Sequence, residues 1–344
     1  MGEIKMFRKR GIFFTFIAIT IMVVFILIFT PQSNISLEKE KQDVSARISS
    51  INNFVDDLEG SYFETVLRVA THKTILSLIN YIETKKAFIP SEQFNTVFSE
   101  VMINGTISDP IGSDNHVPID KITGKKIMFN NTLLNWSKRI NQTAKDTLNI
   151  DTNITIINVT VNQSEPWSVD SYLTFNSTVK SGDIPVEWKR RNVVIKATVS
   201  IEGFHDPYYF VNTNGAYIAQ INKSNVQFDQ WDISKVREHL RFGNYTHFEN
   251  SDAPTFLMRL TNDFSDKEQK KCCGIESLVN PNKITPADQE ESYVDYLFWT
   301  HKFSDCKKLW NIISLWDKFP NFKLDHVHVK KYNIKEGTEA EKCE

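Results

Sequence analysis

The sequence predicts an α+β fold: a single N-terminal transmembrane helix continuing into a long helix, an antiparallel β-sheet head, and a cysteine-containing C-terminal α/β subdomain. Three observations predict it. An apolar run, Ile12 to Thr30, follows a basic cluster. Apolar residues then recur at spacings of three and four from Val44 to Tyr62. From Thr155 to Ile201 they alternate with period two instead. The chain has 344 residues and 41% apolar content, enough for a substantial core. Its net charge of −2 offers no field to draw nucleic acid, which is not expected as a partner.

The expected organisation is a cytoplasmic basic segment over 1–11, a transmembrane helix over 12–30, and a long extracellular helix over 31–90. A helix with an antiparallel, glycosylated sheet fills 91–250, and a cysteine-containing subdomain fills 251–344. Ile12 to Thr30 as a helix spans ~28 Å, about the thickness of a bilayer's hydrocarbon core. Lys5, Arg8, Lys9 and Arg10 precede it against Glu3 alone, while Leu37 to Asp43 is mixed in sign. The positive-inside rule then keeps the N-terminus in the cytoplasm and the bulk outside, in a single-pass cell-membrane protein. No A-x-A cleavage site follows Thr30, so a retained signal-anchor is expected rather than a cleaved secretory signal.

Arg10-Gly11-Ile12-Phe13-Phe14-Thr15 resembles the start of archaeal type IV pilin-like proteins, which carry class III signals. The resemblance covers the anchor and the helical architecture after it. It implies cleavage after Gly11, with Ile12 as the new N-terminus. Phe16 stands where polymerising members of that family carry glutamate, which separates this chain from filament formers. Gly274 to Asn280 and Tyr293 to Trp299 resemble segments of uncharacterised archaeal pilin-like surface proteins.

Along the chain, Val44, Ile48, Ile51, Val55, Leu58 and Tyr62 form one helical stripe, with Gly60 as an interruption and Pro90 as the stop. Packing of this stripe on the chain's own head is preferred to a coiled coil with a partner. A short helix is expected around Phe94 to Met102, and an amphipathic one along Leu133, Trp136, Ile140, Ala144 and Leu148. Thr155, Ile157, Val159 and Val161 begin an antiparallel meander; Leu173, Phe175 and Val179, then Val193 to Ile201, continue it. Lys189, Arg190 and Arg191 read as a solvated turn beside a strand, and Phe204 to Pro207 as a turn between strands. Tyr208 to Val211, Asn214-Gly215 and Tyr217 to Ile221 read as strand, turn and strand. Near the C-terminus Leu309 to Trp316 reads as a short helix closed by Pro320, and Phe322 to Asn333 as a final strand.

N-x-S/T sequons begin at Asn34, Asn104, Asn130, Asn135, Asn141, Asn153, Asn158, Asn162, Asn176, Asn222 and Asn244. On an exported chain these are glycosylation candidates. Asn158 and Asn162 are expected opposite Val159 and Val161, and Asn176 opposite Leu173 and Phe175. All four cysteines, Cys272, Cys273, Cys306 and Cys343, lie in the last quarter. Disulfides are preferred to zinc because no CxxC pair is present. The vicinal Cys272 and Cys273 are expected to pair outward, one with Cys306 and one with Cys343.

No HExxH, GxSxG, P-loop or GxGxxG motif occurs, and no catalytic residue, cofactor or metal is assigned. His326 and His328 are the weak metal candidates, placed on one side of the last strand with Asp325 on the other. Asp229, Asp232, Asp56 and Asp57 read as helix caps or solvated groups. The function expected is a pilin-like, membrane-anchored extracellular glycoprotein with a structural or interaction role. Membrane lipid and pilus, secretion-system or other surface proteins are the expected partners. The alternatives are an anchored extracellular hydrolase, and a sensor ectodomain working with a membrane partner.

Overall fold

The computed structural model describes residues 19–21, 38–112, 115–183, 185–284, 291–300 and 308–343. The chain divides into two compact units, Met1–Asn53 and Phe54–Glu344. The predicted span Ile12 to Thr30 lies outside the described residues except for 19–21, which are helical. No helix among the described residues is long and apolar enough to cross a membrane.

Helix α1, Glu38–Asp57, is followed by a π-helical turn at Leu58–Tyr62 and by α2, Phe63–Lys85. The interruption expected at Gly60 takes this form. Glycine costs about 1 kcal/mol inside a helix, and the wider turn absorbs an extra residue without ending it. Within the stripe Val55 and Leu58 are buried, while Val44 and Tyr62 are exposed. Pro90 is not the stop. Lys86 adopts a left-handed φ of 52°, and α2 ends there. Pro90 bars helix from the residue before it and instead leads into α3, Ser91–Asn104. Gly105, at φ +74°, closes α3, and a Cβ there would stand 2.9 Å from Thr132 Cγ2. The hairpin β1 (Thr106–Ile107) and β2 (Val117–Pro118) leads to α4, Ile119–Thr123. Helix α5, Leu133–Leu148, is capped by Thr132, whose hydroxyl accepts from Asn135 N–H.

The predicted meander is present: β3 (Ile150–Glu165), β4 (Ser168–Ser181) and β5 (Glu187–Ser200) form one antiparallel sheet in that order. Its inner face lies on α2, where the rings of Phe63 and Phe175 stand 4.4 Å apart and Thr71 Oγ1 meets Ser171 Oγ at 2.6 Å. The β3–β4 register shifts between Ile156 and Asn158. Before this bulge Thr152 faces inward; after it Val159, Val161 and Gln163 do, and Ile157 is 49% exposed. Period two therefore does not run unbroken through Ile157, because the extra residue moves the alternation by one. The run Lys189 to Arg191 is part of β5 rather than a turn. Lys189 pairs with Glu187 at 2.8 Å, and Arg190 reaches Glu59 at 3.6 Å.

Strand β6, His205–Asp206, pairs antiparallel with β7, Ala219–Gln220. Between them the predicted strand Tyr208 to Val211 is instead a helix, α6, Pro207–Asn212. Pro207 stands at its first turn with φ already suitable, and Asp206 Oδ1 accepts from Tyr208 N–H at 3.0 Å. Such a cap is worth about 1 kcal/mol, as much as the whole spread of strand propensities. Gly215 N–H then donates to Phe210 O at 2.7 Å, winding the chain off the helix where a hairpin turn was expected.

Strand β8 (Asn222–Lys223) pairs in parallel with β9 (Asn244–Thr246), with α7 (Ile233–Phe242, capped by Asp232) between them in the chain. Helices α8 (Phe256–Thr261) and α9 (Lys267–Cys273) precede β10 (Glu276–Ser277), which pairs antiparallel with β9. Helix α10 is Asp295–Phe298. The expected helix Leu309 to Trp316 is strand β11 (Leu309–Asn311) followed by a 3₁₀ turn at Ile313–Leu315. The expected final strand is β12 (Lys323–Asp325) giving way to α11 (His326–Lys331). Strand β11 sits between β12 and β13 (Glu341–Lys342). One apolar core runs from Leu58 to Ala340, on both sides of residue 250.

Candidate functional site

Three apolar segments of the C-terminal part each carry a charge: Arg259 in Phe256 to Leu260, Glu276 in Gly274 to Val279, Asp295 in Tyr293 to Trp299. The structure brings all three into the core. A charge inside an apolar segment must be paired when it is buried, because an isolated one costs several kcal/mol. Two adjacent networks do the pairing.

In the first, Arg259 is fully buried on α8. Its guanidinium holds Asp206 Oδ2 and Asp295 Oδ2, each at 2.8 Å, and donates to Ile275 O at 2.5 Å. The rings of Tyr208 and Tyr245 flank it at 5.7 and 5.5 Å. Tyr245 also donates to Asp206 Oδ2 at 2.8 Å. Ser277 Oγ donates to Asp295 Oδ2 at 2.8 Å and meets the Tyr209 hydroxyl at 2.8 Å. Two carboxylates thus share one cation. Burial raises the Asp295 carboxyl to about 6, with Arg259 opposing and Asp206 adding to the rise. Burial likewise pushes the Tyr209 and Tyr245 hydroxyls well above their ordinary value, so both stay neutral donors.

In the second, Glu276 accepts from Tyr332 Oη at 2.7 Å and from Ser251 Oγ at 3.3 Å, with Lys331 Nζ at 3.5 Å. His328 Nε2 stands 3.4 Å from Glu276, and its Nδ1 is 2.6 Å from Asp325 Oδ2. Ser292 Oγ donates to the same carboxylate oxygen at 2.8 Å. Burial works to raise the Glu276 carboxyl, but the His328 and Lys331 charges outweigh it and hold the group at about 2. Burial works to lower His328, and Glu276 and Asp325 outweigh it, lifting the imidazole to about 9.

Backbone geometry fixes both networks. A Cβ on Gly274 would lie 2.1 Å from Ala253 O, so only glycine admits this approach. Ile275 N–H donates to Pro254 O at 3.0 Å, and His247 Nδ1 meets Gly274 O at 2.7 Å. Val279 N–H donates to Tyr293 O at 2.8 Å, joining the segments Gly274 to Asn280 and Tyr293 to Trp299. Beside Ser277 a slot lined by Tyr209, Tyr217, Tyr245 and Asn280 has about 10 Å³ of room, which is the size of one water. The networks therefore act on the fold from within it, satisfying and orienting polar groups that the core buries.

The metal candidates separate. His326 is exposed, stacked on Trp310 and 3.7 Å from Glu336, while His328 is buried. They lie on a helix, not on one side of a strand, because Asp325 caps it through Val327 and His328 N–H. Asp325 is correspondingly a partner of His328 rather than a residue of the opposite face. No group of three His, Cys, Asp or Glu side chains among the described residues is placed to hold a metal ion.

Of the cysteines, Cys273 and Cys343 are buried, Cys272 is exposed, and Cys306 lies outside the described residues. Cys272 and Cys273 stand side by side at the end of α9, and no bridge between separated cysteines is seen among the described residues. Cys343 Sγ donates to Asn311 Oδ1 at 3.2 Å. Of the sequon asparagines, Asn104, Asn130, Asn141, Asn153, Asn158, Asn162 and Asn222 are exposed; Asn135, Asn176 and Asn244 are half-buried. Asn34 and the processing candidates Gly11 and Ile12 lie outside the described residues.

No sequence motif marks Arg259, Asp206, Ser277 or Asp295. The readable signal was one charge per apolar segment; what each charge pairs with is set by contacts between distant segments. Comparison with protein-family models, curated proteins and solved structures finds no match to this chain.

Proposed function

We infer that the chain is a membrane-anchored protein of the cell exterior, pilin-like in its N-terminal organisation, whose folded part has a structural or interaction role at the surface. The observation that carries this reading is the uncharged run Ile12 to Thr30 behind Lys5, Arg8, Lys9 and Arg10. Two features of the folded part support it. None of the described sequon asparagines is buried, and seven of them are exposed, where sugar would meet no core. The carboxylates of the C-terminal polar clusters, Asp206, Asp295, Glu276 and Asp325, are all buried, as suits groups that stiffen a head. Phe16 in place of glutamate favours an anchor over a filament subunit.

Two measurements on native cells test it. Protease shaving of intact cells should release peptides from the folded part, and the remaining chain should fractionate with membranes. N-terminal mass spectrometry should find Ile12 as the first residue if class III processing occurs. A chain recovered from the soluble interior would overturn the reading; a membrane chain beginning at Met1 would remove only its processed-pilin version.

A further inference from the structure

We propose that the outer face of the β3–β4–β5 sheet is a sugar-bearing face, with Asn153 and Asn158 as its N-glycan acceptors. This rests on the exterior placement inferred above. The β-bulge carries the argument. Asn153 is odd-numbered and Asn158 even-numbered, so an unbroken strand would point them to opposite faces. The register shift between Ile156 and Asn158 moves the alternation by one and puts both on the outer face. Thr155 and Thr160, the hydroxyl residues of the two sequons, are exposed on the same side. Among the described residues the carboxamides of Asn153 and Asn158 find no hydrogen-bond partner, whereas those of Asn162 and Asn176 do. Asn162 Oδ1 accepts from Gln163 N–H at 2.8 Å and from Gln269 Nε2 at 2.9 Å. Asn176 Oδ1 accepts from Asn192 N–H at 2.8 Å, where the chain turns through a φ of 52°.

Register adds a second reason why Asn176 is not an acceptor. Asn153 pairs with Thr178, and Asn158 with Thr174. Asn176 therefore sits on β4 between them, diagonally about 8 Å from each by strand spacing and rise. It is half-buried there, and sugar on both flanking residues would cover it. Asn153 in addition opens onto a polar groove of about 360 Å³, lined with Asp151, Thr178, Lys180 and Glu187, which has room for the first sugar.

The chemistry needs a polyprenyl-phosphate-linked oligosaccharide and the cell's transferase. A bond forms between the asparagine Nδ2 and the sugar's anomeric carbon, the anomeric carbon–oxygen bond to phosphate breaks, and the Nδ2 proton leaves with the phosphate. Nothing is oxidised or reduced.

The test is glycopeptide mapping of the full chain isolated from its native membranes. No Lys or Arg lies between 146 and 179, so chymotrypsin, cutting after Trp167 and Tyr172, is used to separate the β3 sites from Asn176. Sugar on Asn153 and Asn158 with Asn176 bare is expected. Asn153→Gln and Asn158→Gln should each lower the intact mass by one glycan. Thr155→Ala and Thr160→Ala should do the same with the asparagines in place, and Thr155→Ser and Thr160→Ser should restore it. Either acceptor bare on a shaveable surface protein, or Asn176 modified in their place, overturns the proposal and leaves the exterior placement standing. A sugar-free chain that shaving cannot reach overturns both.

Discussion

Glu276 and Ser277 are neighbours on β10, yet their side chains belong to different buried networks. Glu276 is bound to Tyr332, His328 and Ser251; Ser277 is bound to Asp295 and Tyr209. Successive side chains of a strand leave on opposite sides, so one two-residue strand joins two polar clusters without mixing them. A register slip of one residue would put a carboxylate where the hydroxyl meets Asp295, beside two carboxylates already present. The pair thereby makes the β9–β10 alignment a matter of charge as well as shape.

Arg259→Met should destabilise the protein by about 3–5 kcal/mol, because Asp206 and Asp295 would remain buried without their cation. Arg259→Lys should recover only part of this, since a single ammonium does not span two carboxylates and Ile275 O in the planar geometry of a guanidinium. Guanidinium-chloride melts of the full chain in detergent measure both. A loss under 1 kcal/mol for the methionine variant would mean that the triad contributes nothing net.

The Glu276–His328 pair sets a pH window. His328 is raised to about 9, so its contribution is complete below the ordinary histidine value near 6.5 and is lost as pH rises through 9. Glu276 is lowered to about 2, so its contribution is complete above about 4.5 and is lost as pH falls through 2. Melts across pH 4 to 10 should therefore show an alkaline decline that His328→Gln flattens. If that variant keeps the full alkaline decline, the assignment to His328 is wrong.

Gly274→Ala should be among the most damaging single-methyl additions to the chain. The new Cβ would meet backbone, Ala253 O at 2.1 Å and Lys270 O at 2.8 Å, and backbone cannot rotate aside. A loss of several kcal/mol is expected, as for severe overpacking with backbone displacement. Exposed Gly124→Ala, with no atom within 4 Å but a φ of +69°, should cost about 1 kcal/mol from backbone strain alone. Comparable losses for the two would refute the steric account.

Deleting Ile157 removes the residue that resets the alternation in β3. The segment Ile150 to Ile156 would then present Asp151, Asn153 and Thr155 to the core, and Ile150 and Thr152, now buried, to water. Loss of the folded state is expected. Ile157→Ser, which keeps the extra residue and replaces a half-exposed side chain, should stay within about 1 kcal/mol of the parent. Proteolytic resistance of the two variants distinguishes the roles of the position and of its side chain.

Regular elements were legible wherever local spacing carried the information. The stripes of α3 and α5, the three-stranded meander and the Asp232 cap all follow from residues within a few positions of one another. Three of the failures share one cause: a local cap or an inserted residue overrides an apolar pattern. Asp206 and Pro207 turn Tyr208 to Val211 into helix, and Asp325 does the same for His326 to Lys331, although both segments carry strand-forming residues. Ile157 shifts a parity that its own side chain suggests should continue.

From its sequence alone this protein had a determined class, α+β, a set of sequons, and one charge in each of three apolar segments. Those depend on composition and on spacing along the chain. Only the tertiary structure decided that Arg259 takes Asp206 and Asp295, that His328 takes Glu276 and Asp325, and that Asn153 shares a face with Asn158. The physical reason is that a buried charge is satisfied by whatever the fold brings within about 3 Å, and all of those partners except Asp325 lie in segments far apart in the chain.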